Sequence, residues 1–296
     1  MKLTNKLGLP QPLVDAIAND EYSRGDSDIS VTQLIGPPRI TELERRHAED
    51  LEEDASDRIF SLFGQAIHTI LERANKVGLA EQRLYANVGG WKVSGQFDRM
   101  AFHEDESGRH MMQDYKTAKV NEVMYGVKPE RELQLNCLAE LARLHGHQID
   151  GLEAIFILRD WSKVRAANGG GYPPLGVARI PVPLWDSERA QRYLAERVAL
   201  HRAVREGAIP PPECSPEERW QDPDKWAVMQ PGKKRALKLC DWEAEAVAYA
   251  NNVNKPTYIE RRPSVSVRCQ FYCSVAPVCD QWAAIRPATG NEETDG

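Results

Sequence analysis

The chain has 296 residues, 42% of them hydrophobic and 28% charged, with a formal net charge of −6. That is the make-up of an ordinary globular protein, long enough for one large domain or two small ones. The net negative charge excludes global attraction to a polyanion, so contact with nucleic acid has to use a local basic lining or a metal ion. No apolar run approaches the roughly 18–20 residues that cross a bilayer, and residues 1–6 are not followed by the apolar core of a signal peptide. The expectation is a cytoplasmic protein with no membrane partner. Three of the six cysteines fall between 269 and 279. This is too uneven for a secreted disulfide framework and reads as a metal or cluster site in a reducing compartment.

Residues 1–30 are weakly patterned, with a short helix expected near 13–18 and a loop after it. Residues 31–35 lead into the breaker Gly36-Pro37-Pro38. The charged run 41–53 reads as a solvated helical face, with Arg39, Arg45 and Arg46 available to phosphate. Over 57–74, Ile59, Leu62, Phe63, Ala66, Ile67, Ile70 and Leu71 recur at helical spacing as a buried stripe. Gly64 suggests close packing there, and His68 and Glu72 share a face. Strands at 84–88 and 91–102 are joined by Gly89-Gly90, a hairpin signal. In the second strand Val93, Gly95, Phe97 and Arg99 face one way, and Ser94, Gln96 and Asp98 the other. Gly95 permits close approach of another element. Asp98, in a strand expected to be central, is expensive to bury without a cation.

After a polar turn at 103–109, the strand 111–116 ends in Asp114-Tyr115-Lys116-Thr117. A side-chain period of two puts Asp114 and Lys116 on one face. They form either a salt bridge at a strand end, or a carboxylate and ammonium that hold a divalent cation and orient a water. Helix 130–145 has Leu133, Leu135, Leu138, Leu141 and Leu144 on its apolar side and Gln134 one turn from its start; Cys137 belongs to this core helix. Lys119 precedes it in a loop. Strand 152–158 is followed by Lys163 and Arg165 and a glycine-rich stretch at 168–171, read as a mobile DNA-contacting loop rather than a bare hairpin tip. Strand 177–182 carries Pro181, which suits a sheet edge, and Asp186 caps a helix that ends at Gly207.

The remaining quarter changes character. A proline linker at 210–212 precedes the capping box Ser215-Pro216-Glu217-Glu218. Gly232-Lys233-Lys234-Arg235 forms a basic turn between strands, and 241–251 is helical. The expected organisation is a helical lead-in (1–54), a core (55–209), a metal- or cluster-binding extension (210–287) and a disordered tail (288–296). The fold class is α/β, a mixed and largely antiparallel sheet flanked by helices.

Helix, antiparallel strands and helix in that order bring His68, Asp98, Asp114, Lys116 and Gln134 to one end of the sheet. Two carboxylates and an imidazole suit Mg²⁺ or Mn²⁺. Such an ion acidifies water and stabilises charge on a phosphoryl oxygen, and Lys116 can orient that water or offset the developing charge. The combination points to phosphodiester hydrolysis.

This order of motifs resembles the RecB-like branch of the PD-(D/E)XK nuclease superfamily. The residues that carry the resemblance are Gly64-Gln65-Ala66-Ile67-His68 with Leu71-Glu72, Ser94-Gly95-Gln96-Phe97-Asp98, Asp114-Tyr115-Lys116-Thr117 and Gln134-Leu135. It implies a restriction-endonuclease-like core and a metal-dependent DNA exonuclease. In it His68, Asp98, Asp114 and the Tyr115 carbonyl hold the metal, Lys116 positions the water and Gln134 orders the site. Lys119, Lys163 and Arg165 are the expected DNA contacts. Leu138 stands where relatives often have a tyrosine. Iron–sulfur members of the branch have one cysteine before the core and three after it, whereas here no cysteine precedes Cys137. Cys269, Cys273 and Cys279 match the terminal trio, Cys214 is the candidate fourth ligand and Cys240 the runner-up. The spacing accommodates a [4Fe–4S] cluster or Zn²⁺, and the resemblance favours the cluster. It further suggests a phage-type role in DNA recombination or degradation beside a single-strand annealing or other recombination protein. The alternatives are a CRISPR adaptation exonuclease, or a non-catalytic DNA-binding protein that kept the fold.

Overall fold

The computed structural model describes residues 2–19, 25–75, 77–102, 108–124 and 126–286. The expected tail at 288–296 and most of the expected turn at 103–109 lie outside them. The chain forms two compact units, one comprising Met1–Glu42 and Glu52–Pro211, the other Leu43–Leu51 and Pro212–Gly296.

Strand β1 (Lys2–Thr4) and helix α1 (Gln11–Ala18) come first. Strand β2 (Ile29–Ser30) runs directly into α2 (Val31–Ile35). Ser30 fixes that start: its hydroxyl accepts the Gln33 N–H, and the Gln33 side-chain oxygen accepts the Ser30 N–H, which satisfies two orphan donors reciprocally. Helix α3 (Pro38–Arg46) begins at a proline, which the first turn tolerates, and β3 (Glu52–Asp54) then pairs in parallel with β1. The charged run is thus not one solvated helix over 41–53. The helix starts earlier, stops at Arg46 and is partly buried, with Glu42 3% exposed. Arg39 is buried too, and its guanidinium donates to the Pro211 carbonyl at 2.7 Å, which removes it from phosphate duty.

Helix α4 (Ile59–Ala74) precedes the hairpin of β4 (Leu79–Val88) and β5 (Trp91–Phe102). Gly89 and Gly90 have φ of 55° and 83°, the left-handed pair that a tight primed turn requires. Strand β6 (His110–Ala118) runs antiparallel to β5, and α5 (Val120–Met124) and α6 (Pro129–Leu144) cross back so that β7 (Gly151–Leu158) lies parallel to β6. Helix α7 (Lys163–Ala167) leads to β8 (Val177–Val182), antiparallel to β7 at the sheet edge, and α8 (Ser187–Arg205) is capped by Asp186. The sheet has six strands in the order β2-β5-β6-β7-β8, with β4 also on β5. It is mixed and flanked by helices, as its alternation pattern implies.

Phe97, Met112, Leu152 and Phe156 from the sheet share one core with Leu34, Leu135, Leu141 and Leu194 from the helices. Gly95 sits where α6 and α2 come closest: a Cβ there would meet Leu138 at 2.5 Å, Leu141 at 2.9 Å and Val31 at 3.0 Å. Two expectations fail on α4. None of its residues is fully buried, and Phe63 and Ile70 are exposed. Gly64 has nothing within 4 Å of its would-be Cβ. Periodicity identifies which side of a helix is apolar, not how much of that side finds cover. Leu144, at the end of α6, is likewise exposed.

In the second unit β9 (Lys225–Met229) pairs antiparallel with β10 (Lys238–Cys240) and β11 (Tyr258–Arg262), with α9 (Glu243–Asn252) packed on them. Cys240 is buried with Val228 and Ala246. The Ser215 capping box forms, Glu218 N–H to Ser215 Oγ at 3.2 Å and Ser215 N–H to Glu218 Oε2 at 2.8 Å. It caps only a turn, because Trp220 follows with φ of 51° and leads the chain out of the helix. Helices α10 (Val267–Phe271) and α11 (Asp280–Ile285) close the described chain.

The two glycines should respond oppositely to alanine. Gly95→Ala overpacks a filled core and should lower unfolding free energy by about 1–3 kcal/mol. Gly64→Ala adds a methyl in open space within a helix and should raise it by about 0.5–1 kcal/mol. Urea titrations of both variants check this, and equal effects would contradict the packing described.

Candidate active site

Strand register builds the site. On one edge β5 pairs with β4 along its length; on the other it pairs with β2 at Val93 and Ser94 and with β6 from Arg99 to Phe102. Between those two partners the second edge is open, and Asp98 lies at the end of that opening. Continuing the β5–β6 register one step past Arg99↔Gln113 sets Asp98 opposite Asp114. On the other side Glu81 lies between the pairs Ala80↔Arg99 and Gln82↔Phe97, and so stands opposite Asp98 on β4. Glu81, Asp98 and Asp114 therefore form a row across three adjacent strands. Cross-strand neighbours project to the same face, and like charges placed so repel.

Each member of the row is held separately. The Tyr115 N–H donates to Asp98 Oδ2 at 2.6 Å. A residue's N–H and C=O leave an extended strand on the same edge, so the Tyr115 carbonyl faces the open edge beside Asp98. Lys116 Nζ donates to Asp114 Oδ1 at 2.6 Å, whereas Asp114 Oδ2 is buried with no hydrogen-bond partner. His68, on α4, directs Nδ1 at Glu81 Oε1, 2.9 Å away, and at Asp98 Oδ1, 3.6 Å away. The remaining Glu81 oxygen accepts from Gln96 Nε2 at 2.8 Å, and Arg83 holds the Gln96 oxygen at 3.0 Å.

The electrostatics follow from this crowding. Burial, then the facing Asp114 carboxylate, push Asp98 up to about 7 against the pull of Lys116, His68 and the Tyr115 N–H. The Glu81 hydrogen bond raises His68. Burial pushes Glu81 up, but the bonds from His68 and Gln96 outweigh it and its net shift is downward. An orphaned, buried carboxylate oxygen beside a carboxyl that resists ionisation, with an imidazole and an inward carbonyl, is a donor set suited to a hard or borderline divalent cation.

A family model described as the PD-(D/E)XK nuclease superfamily matches residues 73–280. The chain belongs to the PD-(D/E)XK nuclease superfamily. The match spans Glu81, Asp98, Asp114 and Lys116 and begins after His68. No curated protein matches the sequence. Among solved structures, the crystal structure of SSO0001 matches with a TM-score of 0.44 and 17% identity over 64% of this chain and 84% of that one.

Of the residues singled out in this nuclease, the structure gathers His68, Asp98, Asp114, Tyr115 and Lys116. Gln134 is half-buried on α6, and among the described residues it hydrogen-bonds to none of that group. Lys119 is exposed just beyond β6; Lys163 and Arg165 are exposed on α7, a short helix just before the glycine-rich stretch. Glu81 is the functional residue that sequence reasoning misses, because the apolar pattern starts the first strand of the hairpin only at Leu84, whereas the strand begins at Leu79. Counting equal steps outward from Gly89-Gly90 on both strands places Glu81 opposite Asp98, and that signal was present in the sequence.

The terminal cysteines and Cys214 also come together in the second unit. Burial, then Glu218 and the neighbouring thiols of Cys273, Cys269 and Cys279, push Cys214 up to about 12. Gln281 clamps the Cys214 peptide from both sides, accepting its N–H and donating to its carbonyl, each at 2.9 Å. All six cysteines are free thiols. Among the described residues no helix is long and apolar enough to cross a membrane.

Asp98 gives the chelated nuclease a defined pH signature. Folded, it keeps its proton to about pH 7, whereas the unfolded chain releases it near 3.8. The folded state therefore holds the extra proton between those values, and this group's contribution to stability falls as pH rises through the window. Asp98→Asn mimics the protonated acid. In chelator, its melting temperature relative to wild type should climb from pH 4 to pH 7 and then level off. A difference that does not change with pH would contradict the crowded carboxylates.

Proposed function

We propose that the protein is a divalent-metal-dependent deoxyribonuclease that hydrolyses phosphodiester bonds. The observation that carries this reading is the pairing of partly buried Asp98 with buried Asp114, with Lys116 at its end, inside a chain of the PD-(D/E)XK superfamily. Asp98, Asp114 and the Tyr115 carbonyl would hold Mg²⁺ or Mn²⁺, with His68 at the Asp98 side. The ion supplies Lewis-acid stabilisation of a phosphoryl oxygen and a more acidic water. Lys116, which donates to Asp114 Oδ1 at 2.6 Å, would contribute a positive charge and a donor beside that water. Lys119, Lys163 and Arg165 would meet the phosphate backbone. The resemblance to the RecB-like branch supports exonuclease action in recombination or DNA degradation, and it is the resemblance alone that gives Gln134 a part in ordering the site.

The second part of the proposal is a [4Fe–4S] cluster on Cys214, Cys269, Cys273 and Cys279. Tetrahedral zinc with Zn–S near 2.3 Å needs sulfurs about 3.8 Å apart. Cys214 lies near enough to Cys269, Cys273 and Cys279 for their thiols to shift its own, and the choice of a cluster over zinc rests on the resemblance to iron–sulfur members of the branch. Cys240, buried in its own apolar cluster, is left out.

Digestion of end-labelled linear and circular DNA with Mg²⁺ or Mn²⁺ tests the activity. Wild type should degrade the linear form, and Lys116→Ala or Asp114→Ala should lose at least about 10²-fold in rate while folding normally. Full activity in either variant would overturn the assignment, and inactivity of the wild type would leave a DNA-binding protein that kept the fold. For the cysteines, anaerobically purified protein should be brown. Cys214→Ser should bleach it and Cys240→Ser should not. Colourless protein with one equivalent of zinc would replace the cluster by a zinc staple.

A further inference from the structure

Helix α4 crosses the sheet at the acid row and carries an aromatic ring past its end. His68 meets Glu81 and Asp98. Phe60, two turns earlier and so about 12 Å along the helix, meets Arg159 instead, whose guanidinium carbon lies 4.2 Å from the centre of the ring. Arg159 follows β7 directly and its N–H donates to the Ala118 carbonyl at 3.0 Å. Earlier on the same strand Phe156 pairs with Lys116, which sets Arg159 about 10 Å beyond Lys116 along the strand direction. Phe60 and Arg159 therefore stand together just past the charged end of β6.

We propose that Phe60 and Arg159 form a subsite for one unpaired nucleotide, which makes a single strand the form of DNA this site takes. The proposal deepens the nuclease reading and rests on it. Phe60 is 63% exposed even with Arg159 over its ring. It lies on a helix with no fully buried residue, so the ring gives the core almost nothing. An open aromatic ring is a surface on which an unpaired base stacks, and an arginine beside it supplies a cation for the phosphate. Bases inside a duplex have both faces covered by their neighbours and offer such a ring nothing.

The approach to the carboxylates fits the same occupant. The side chains of Asp98 and Asp114 are 11% and 3% exposed, and α4 reaches over the first of them through His68, so a thin strand has easier access than a duplex. The charge fits as well. Lys119 is exposed after β6, and Lys163 and Arg165 are exposed after β7 with Val164, 72% exposed, between them. The acid next to Arg159, Asp160, is engaged by the Val120 N–H at 2.7 Å. The competing role is a surface pair in which Arg159 only shields Phe60 from water, and that role is indifferent to DNA.

Fluorescein-labelled oligothymidylate is the probe, with Ca²⁺ as a hard cation for the carboxylates and binding to the full chain read by anisotropy. Phe60→Leu keeps most of the apolar bulk and removes the ring, and should weaken binding by at least about fivefold. Phe60→Trp should bind at least as tightly as wild type. A blunt duplex of the same length should not distinguish Phe60→Leu from wild type, nor should a strand without bases. Arg159→Ala should lower the slope of log affinity against log salt by about 0.7, a second measurement should Phe60→Leu fail to fold. Equal affinity of folded Phe60→Leu and wild type for oligothymidylate would overturn the proposal, as would an equal loss on the duplex or an unchanged salt slope in Arg159→Ala. If the wild type still cleaves DNA, those results leave the nuclease reading intact. A wild type that binds the strand through Phe60 and cleaves nothing would sink that reading and leave the subsite.

Discussion

Three carboxylates directly opposed across β4, β5 and β6 are the constraint on which the rest of this structure turns. At cross-strand spacing of about 5 Å and an effective dielectric near 20, each neighbouring pair would repel by on the order of 3 kcal/mol if both members were ionised, which is why Asp98 holds its proton to about pH 7. Lys116 bonds one end of the row and His68 bridges the other. The opposing charge arrives only in part, since Asp114 Oδ2 is left without a partner. The fold tolerates that deficit because the sheet is otherwise well packed, with Phe97 and Met112 buried among the leucines of α6. A site with unfulfilled donors in a rigid frame is prepared for a ligand before the ligand arrives.

The frame has its own price at Glu81. With φ of 49°, Glu81 and Trp220 are the two non-glycine residues in the left-handed region among those described. Such a backbone stores on the order of 1–3 kcal/mol and persists only where the surroundings over-determine it. At Glu81 those surroundings are the ladder on either side, Gln96 and His68. The distortion sits in the row of acids, so the strained residue and the repelling carboxylates are one feature of the sheet.

Much of this was legible in the sequence, for identifiable reasons. The Gly89-Gly90 turn fixes a hairpin, alternation along β5 fixes which side Asp98 faces, and a period of two joins Asp114 to Lys116. Local rules decide each of these, and the α/β core follows from them. What was not legible depends on partners distant in sequence. The burial of Arg39 needs the Pro211 carbonyl, and the exposure of Phe63 depends on what fails to cover α4. The single turn after Ser215 depends on Trp220, because a capping box satisfies the first donors of a helix and does not oblige one to continue. Glu81 is the intermediate case: the register that places it was countable, but nothing in its own neighbourhood marks it as special.

The central claim is that the buried carboxylates are arranged for a divalent cation. Thermal unfolding of the chelated protein with and without Mn²⁺ tests it most directly, since a ligand that binds only the folded state stabilises by about 2.7 kcal/mol at a hundred times its dissociation constant. The expected result is a melting temperature that rises with Mn²⁺ in wild type and is unresponsive in the Asp98→Asn, Asp114→Asn double variant. A wild type whose melting temperature is unchanged by millimolar Mn²⁺, or a double variant that responds as wild type does, would contradict it.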